Sequence, residues 1–281
     1  MTVSCGPRQG RTGYRRWKRY GMEAGMEFQR ENRIIKCVLD AGELILKSGG
    51  EINRVEDTMT RMFQAYGFLR ADVFTITSSI VVTVYTAQGA ILTQTRRIYG
   101  YDTNLQRVAL VNQLAREVCA SPIGVEELEC RLEEIDRSRE WPFWFKILLY
   151  GATAAVFAVF YSGGVLEAVF AAVTGMGICL LLRLMQQAVS NAIVRYAACS
   201  AVGGLFLTLV QKCGISFHID PAMMGNIMLL IPGLPFMNAI REMLAGDTMS
   251  GLLRLCESLI RTIAIAAGFI GAMTLMGGGL R

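Results

Sequence analysis

Residues 147–166 read ILLYGATAAVFAVFYSGGVL and contain no charged side chain. About 20 apolar residues are enough for an α-helix to cross the hydrocarbon core of a bilayer. A buried helix in a soluble bundle is the alternative, but such a helix keeps a polar outer face, which this stretch lacks. The stretch therefore predicts a membrane-spanning helix.

Further stretches without charge follow it, at 168–182, 196–211, 221–240 and 262–280. Two of them are short, and they reach the required length if the charged residues at their ends lie near the membrane interfaces. Those residues are Glu167, Arg183, Arg195 and Lys212. We therefore expect an α-helical polytopic membrane protein with about five transmembrane helices.

Charge is concentrated in the first half of the chain. Residues 1–146 hold 21 of the 28 Lys and Arg residues and 18 of the 23 Asp and Glu residues. The run Trp141-Pro142-Phe143-Trp144-Phe145 separates the halves, and clustered aromatic residues are typical of a membrane interface. We predict three regions, namely a basic, disordered tail at 1–26, a soluble α+β domain at 27–140 and a transmembrane domain at 141–281.

The tail carries a cluster of Arg and Lys between residues 8 and 19. Such a run binds nucleic acid or anionic lipid in some proteins, but it is more typical of a solvated tail. We expect no nucleic-acid partner. The tail lacks the apolar core of a signal peptide, and Met22 and Met26 are alternative starting residues.

The soluble region alternates between two periodicities. Apolar residues recur at helical spacing in 30–48 and 51–66, and Val, Ile, Thr and Tyr dominate three strand-like stretches. Gly67 follows the second helix in the position of a C-terminal cap, and Asn104 precedes the next helix as an N-cap. The predicted strands are 71–77, 79–86 and 91–98, and the later helices are 104–119 and 125–138.

Arginine residues in the short loops indicate the orientation of the chain. Arg183 and Arg195 flank one loop, and Arg241, Arg254 and Arg261 surround another. The loops on the alternate side contain much less positive charge. The positive-inside rule then places the α+β domain in the cytoplasm and the C-terminus outside, in a multi-pass protein of the plasma (inner) membrane.

The fourth span contains a helix-breaking motif. Pro232, Gly233 and Pro235 lie in the middle of an apolar stretch. Proline removes a backbone donor, and in lipid the freed carbonyls need partners in protein or in a water-filled cavity. Broken helices of this kind form substrate sites in secondary transporters. A simple proline kink is the alternative.

Polar residues flank this motif and complete the candidate substrate-binding set. Asn226 precedes the break, and Asn238 and Arg241 follow it on one helical face. Arg241 is suited to bind a carboxylate with two hydrogen bonds, although an interfacial arginine that fixes topology has the same sequence signature. Glu257 is the last candidate, with a salt bridge to Arg261 as the alternative.

A second polar cluster occurs at the junction of the first two soluble helices. It comprises Ser48, Gly49, Gly50, Glu51, Asn53, Arg54, Glu56 and Asp57. These side chains are candidates for a site at the start of the second helix. Helix capping, with acids near the positive end of the helix dipole, is the alternative.

Several classes of function are excluded or disfavoured. There is no GxxxxGK[ST] motif for nucleotide-driven pumping, and neither GxSxG nor HExxH occurs. His218 is the only histidine, and the eight cysteines contain no CxxC pair. We expect no cofactor, no metal site, no catalytic residues and no enzymatic activity.

The chain resembles the threonine/serine exporter family over about residues 30–275. The resemblance rests on GELILKSGGEINRVEDTMTRMFQAYG (42–67), DVFTITSSIVVTVYT (72–86), TRRI (95–98), NLQRV (104–108) and IPGLPFMNAIREMLAGDTMSGLLRL (231–255). Fused members of that family have two halves of about five spans each, so this chain resembles the large subunit of the split form. Residues 1–21 have no counterpart in the pattern.

The resemblance implies an exporter of small polar carboxylates, driven by a proton or other gradient. Threonine and serine are the expected solutes of some members, and a split member is associated with succinate export. It also implies a small multi-span membrane subunit as the partner, while a homo-oligomer is left open. A membrane-anchored metabolite-sensing or regulatory protein is the alternative, but it needs only one or two spans.

Overall fold

In the computed structural model, residues 10–138 and 141–276 are described, with side chains from Glu27 onward. The chain divides near Ser138 into two compact units, which we call the N-terminal unit and the C-terminal unit. Each is described by itself.

The N-terminal unit combines helices with a small antiparallel sheet. Strand β2 pairs with β1 on one side and with β3 on the other, so that Val82 lies opposite Val73 and Gln94. The predicted α+β content is confirmed. The elements are α1 (Gly10–Lys47), α2 (Ile52–Ala65), β1 (Arg70–Ile76), β2 (Ser79–Tyr85), β3 (Ile91–Arg97), α3 (Leu105–Ala120) and α4 (Val125–Asp136).

The core of this unit lies on one face of the sheet. Ile80, Val82 and Val84 alternate along β2 and are fully buried, as a strand with one covered face requires. Phe63 of α2 is also fully buried in this core. The predicted N-cap is confirmed, because the Asn104 side chain accepts a 3.0 Å hydrogen bond from the Arg107 amide.

Glycine ends both of the first two helices. Gly49 and Gly67 each have a φ of 87°, which is the left-handed conformation that favours glycine. After α2, the Gly67 amide donates to the Gln64 carbonyl and the Phe68 amide donates to the Phe63 carbonyl. This is the Schellman pattern, and it satisfies carbonyls that the helix end would otherwise leave exposed.

Helix α1 is longer than the sequence predicts. It begins at Gly10, so the backbone of residues 10–26 is helical where we expected a disordered tail. Adding residues to an existing helix costs far less than nucleating one, and the buried segment after Arg33 supplies the nucleus. Residues 1–9 lie outside the described residues.

All of the regular secondary structure among the described residues of the C-terminal unit is helical. Four of its helices, α5, α6, α7 and α10, are long and apolar enough to cross a membrane. Helices α8 and α9 pass the same test together and meet at an angle of 53°, which raises the number of spans to five if the bent pair is one span. The bounds are α5 (Phe143–Phe160), α6 (Val165–Ala188), α7 (Ala192–Lys212), α8 (Ile219–Leu230), α9 (Gly233–Leu244) and α10 (Thr248–Leu275).

The ends of these helices differ from the charge-free stretches. Helix α5 stops at Phe160, because Ser162 adopts a φ of 65° before two glycines. Helix α10 begins at Thr248, well before the predicted start at 262. A charge-free stretch indicates which residues hydrocarbon tolerates, whereas a helix extends to wherever its backbone hydrogen bonds can be made.

Small residues allow the helices of this unit to approach closely. A Cβ added to Gly225 would lie 2.4 Å from the Ala154 carbonyl oxygen, and one added to Gly268 would lie 2.0 Å from the Ser200 hydroxyl. Helix α8 therefore packs directly on α5, and α10 on α7, as small residues permit in membrane proteins.

Candidate functional site

The break between α8 and α9 has a defined backbone geometry. Helix α8 ends at Leu230, and Pro232 follows with φ −78° and ψ 64°. The Gly233 amide donates to the Ile231 carbonyl at 2.9 Å, across a single residue. These values are those of an inverse γ-turn. The predicted break at Pro232 is therefore confirmed as a tight turn with a sharp bend.

This turn removes helical partners from backbone carbonyls. The Met228 carbonyl would receive its hydrogen bond from residue 232, which is proline and has no amide hydrogen. The Leu229 carbonyl loses the Gly233 amide, because that amide bonds to Ile231. Pro235 brings no donor to the start of α9. The break is consequently richer in acceptors than in donors.

Asn226 lies one turn before the break and is fully buried. Its Nδ2 donates to the Ala222 carbonyl at 2.9 Å, whereas its Oδ1 has no hydrogen-bond partner in the described part of the chain. A Cβ placed on Gly175 would lie 3.5 Å from that oxygen, so the amide points towards α6. A buried acceptor without a donor costs about 1–3 kcal/mol.

The remaining candidates are spread over two helices. Asn238 and Pro235 are half-buried on α9, while Gly233 and Arg241 are exposed. Glu257 is exposed on α10. The structure thus buries Asn226 and Pro232 and leaves Gly233, Arg241 and Glu257 at the surface of the unit.

The alternative role given to Glu257 is wrong. Among the described residues, no ion pair joins Glu257 to Arg261. The Arg261 guanidinium instead lies over the Tyr196 ring, 5.0 Å from its centroid. The i, i+4 spacing favours a pair between Glu257 and Arg261, but the Tyr196 ring on α7 contacts the Arg261 guanidinium instead.

A buried ion pair joins α9 to α10, and sequence reasoning missed it. Arg254 Nη2 lies 3.3 Å from Glu242 Oε1, and the two side chains are 9% and 1% exposed. One signal was available. Ser250, Arg254 and Ser258 recur every four residues along an apolar helix, and all three are buried. That spacing places polar groups on one inward face.

Glu167 has buried partners that the sequence does not reveal. The sequence predicts it near a membrane interface, and in the structure it is 7% exposed and accepts hydrogen bonds from backbone amides of two loops. Its Oε2 accepts from the Gly164 amide and its Oε1 from the His218 amide, each at 2.9 Å. The carboxylate therefore ties the start of α6 to the start of α8.

The polar cluster of the N-terminal unit has mostly structural contacts. Ser48 is buried, and Gly50 has no room for a side chain, since a Cβ would lie 2.4 Å from Ile45 Cγ2. Glu56 Oε1 accepts from the Thr75 amide at 2.7 Å, which satisfies an edge-strand donor of β1. Asp57 pairs with Arg61. The capping alternative fails for Glu51, whose side chain makes no cap hydrogen bond.

Part of the same cluster lines an open pocket of about 610 Å³ between α2 and the outer face of the sheet. Asn53, Glu56 and Asp57 contribute from α2, and Asp72 and Phe74 contribute from β1. Arg54 is exposed and is absent from the lining residues. The pocket is acidic, and its Asp57 and Asp72 carboxylates pair with Arg61 and Arg70.

Elsewhere in this unit, two carboxylates have pKa values moved in opposite directions. Burial raises the pKa of Asp40, although Arg96 at 2.5 Å opposes the effect. The hydrogen bonds from Lys36 and Arg33 lower the pKa of Glu129. Desolvation disfavours a charge and a donor favours it, so the direction reports which effect dominates at each site.

Comparison with known proteins gives these features a context. The family model described as "Putative threonine/serine exporter" matches residues 36–276, nearly the whole described chain. The chain belongs to the threonine/serine exporter family. It is accordingly a transporter subunit of the membrane, and the resemblance seen in its motifs is confirmed.

Relatives in this family differ in length. The chain is 27% identical to the probable succinate transporter subunit YjjP of Escherichia coli K12, over 90% of this chain and 98% of that protein. It is 30% identical to the protein of that name from Klebsiella aerogenes, over 86% and 92%. It is 22% identical to the probable threonine/serine exporter of Mycobacterium tuberculosis H37Rv, over 90% of this chain but only 48% of that protein.

No solved structure matches the chain. The family is thus established by sequence, and the geometry of the break, of Asn226 and of the Glu242–Arg254 pair comes from this structure alone.

Proposed function

We propose that this chain is the large subunit of a two-component secondary exporter of small polar carboxylates. The observation that carries the proposal is the broken α8–α9 segment, where Pro232 and Pro235 supply no backbone donor, in a chain that belongs to an exporter family. Hydrocarbon does not tolerate free backbone acceptors, but a solute path containing water does. A sensor protein would have no need for such a break.

The solute path in this proposal follows the break. Pro232, Gly233 and Pro235 keep the helix open, and Asn226 supplies a buried amide beside it. Arg241 or Asn238 contacts the solute carboxylate, because a guanidinium or amide donates to a carboxylate oxygen. Threonine, serine and C4 dicarboxylates such as succinate all carry that group, and relatives are named for both kinds of solute.

The partner in this proposal is a smaller membrane protein that supplies the second half of the exporter. Two relatives of similar length are named as subunits, and a third is about twice as long. If the bent pair is one span, the chain crosses the membrane five times. An odd number makes an appended homologous half inverted, which is a recurrent transporter architecture.

Export by cells tests the function. We expect the chain expressed with its partner to export threonine, serine or succinate, and the chain alone to export none of them. Intracellular and extracellular solute are measured after loading, with membrane abundance determined for each strain. Full export by the chain alone would contradict the two-component proposal, unless the chain forms an antiparallel homodimer.

Orientation is tested separately. We propose that the N-terminal unit is cytoplasmic and that the C-terminus is outside, since the loops rich in arginine face the cytoplasm. Reporter fusions after residues 140 and 281 should then give opposite signals. Cytoplasmic signals from both fusions would rule out the five-span arrangement.

A further inference from the structure

The Glu242–Arg254 pair is buried deeply in the C-terminal unit. Arg254 lies six residues after the start of α10, about 9 Å along the helix, and Glu242 lies near the end of α9. The two helices are in close contact beside the pair, because a Cβ on Gly251 would lie 2.7 Å from the Ala239 carbonyl oxygen. Little of either side chain is exposed to solvent.

The two side chains of the pair are farther apart than in a tight charge-assisted hydrogen bond. The closest approach of the two side chains is 3.3 Å, whereas a charge-assisted hydrogen bond of this kind is typically about 2.7–2.9 Å. In the N-terminal unit, where desolvation is no obstacle, Arg33 approaches Glu126 to 2.6 Å. A buried pair is weak evidence for a stabilising role, since apolar residues of similar volume often serve as well.

We propose that Arg254 is a carboxylate-binding residue of the exporter and that Glu242 occupies it when no solute is bound. Glu242 is chemically a tethered carboxylate, so it presents to Arg254 the same group that the solute carries. An incoming solute carboxylate takes its place, and Glu242 turns to the water that enters with the solute. This assignment rests on the proposed function.

The surroundings of the pair fit an exchange of carboxylates. Ser250 and Ser258 lie one turn before and one turn after Arg254 on the buried face of α10, and both have small side chains. The Ser258 hydroxyl donates to the Arg254 carbonyl at 2.8 Å. Arg241 precedes Glu242 on α9, and Asp247 immediately precedes α10, so further charges lie close in sequence to the pair.

The decisive variant is Glu242→Gln, in the chain expressed with its partner subunit. Membrane vesicles are tested for transport of labelled succinate, threonine and serine. Removal of the internal competitor should lower the apparent KM by about tenfold, and Arg254→Gln should raise it by at least that factor. Asp220→Asn and Lys212→Gln, both exposed, are the matched controls and should leave KM unchanged.

A purely structural pair predicts a different pattern, in which abundance falls and KM stays constant. An unchanged KM in Glu242→Gln at normal abundance would overturn the proposal. If the single variants are poorly inserted, the reversed pair Glu242→Arg with Arg254→Glu is measured, since it keeps opposite charges together. Wild-type KM in that variant overturns the proposal, and a raised KM at normal abundance supports it. Failure of wild type to transport any of the three solutes refutes the proposed function instead.

Discussion

Arg33 in the N-terminal unit and Arg254 in the C-terminal unit each pair with a glutamate, but in opposite surroundings. The Arg33 and Glu126 side chains are 47% and 76% exposed, whereas those of Arg254 and Glu242 are 9% and 1% exposed. An exposed pair contributes about 0.2–1 kcal/mol, while burying an ion costs several kcal/mol that its partner must offset. The exposed Arg33–Glu126 pair therefore contributes little to stability, whereas the buried Arg254–Glu242 pair carries a desolvation cost.

Substitution of Arg254 should have the largest effect on stability. Arg254→Ala leaves the Glu242 carboxylate buried without its guanidinium, so we expect a loss of about 3–5 kcal/mol in stability and a large fall in membrane abundance. Arg33→Ala, the matched change in an exposed pair, should cost much less, because solvent screens that pair. Thermal unfolding of the detergent-solubilised chain and quantitative blotting of membranes measure both.

The double variant Glu242→Gln with Arg254→Gln sharpens this test. It removes both charges and keeps hydrogen-bonding groups of similar size, so abundance should recover most of the way. Equal losses in Arg254→Ala and in Arg33→Ala would show that burial of the pair has no energetic consequence.

Local sequence patterns predict much of the fold, but they do not predict the buried Glu242–Arg254 pair. Alternation in Ile80, Val82 and Val84, or a proline at 232, acts within a few residues, and the sequence predicts the strand and the break correctly. Which of several arginines turns inward depends on how α9 folds back on α10. That is a tertiary property, because the four-residue spacing of Ser250, Arg254 and Ser258 marks a shared helix face but does not identify the acidic partner on α9.

The same limit explains why the alternative salt bridge between Glu257 and Arg261 does not form. Helical spacing correctly places Glu257 and Arg261 one turn apart, but Tyr196 of α7 offers Arg261 a competing surface. Glu167 is a similar case, because one of its two partners, the His218 amide, lies 51 residues away in sequence. Charges in apolar helices are thus located by sequence, whereas their partners require the packed structure.

The next largest expected effect is on export kinetics, from substitution of Arg241, an exposed charge in the C-terminal unit. Arg241→Lys keeps the positive charge and the topology signal but loses the planar fork of donors. If Arg241 contacts the solute, the loss of a charge-assisted hydrogen bond costs about 1.5–3 kcal/mol, at least about tenfold in apparent affinity. Export kinetics with the partner subunit, normalised to abundance, measure it.

Pro235→Ala is the companion change, and it should alter turnover more than membrane insertion, because it acts on the break. Unchanged kinetics in Arg241→Lys at normal abundance would remove a bidentate role. The same result for Asn238→Ala would leave the α9 candidates without support.

The smallest effect separates two carboxylates within the N-terminal unit by the sign of their pH dependence. Burial raises the pKa of Asp40 above its unfolded value, so the charged form is disfavoured by folding above the folded pKa. That penalty disappears as pH falls below the unfolded pKa. The hydrogen bonds from Lys36 and Arg33 lower the pKa of Glu129, so its contribution is present above the unfolded pKa and is lost as pH falls through the folded pKa.

Asp40→Asn, which can still accept from Arg96, should therefore be neutral or slightly stabilising at pH 7, by under about 1 kcal/mol, with the difference from wild type vanishing in acid. Glu129→Gln should be slightly destabilising at pH 7, and its difference from wild type should shrink as pH falls through the lowered pKa of Glu129. Thermal unfolding between pH 3 and pH 7 at low salt measures both, and pH trends of the same sign would contradict the opposite environments that the structure assigns to the two groups.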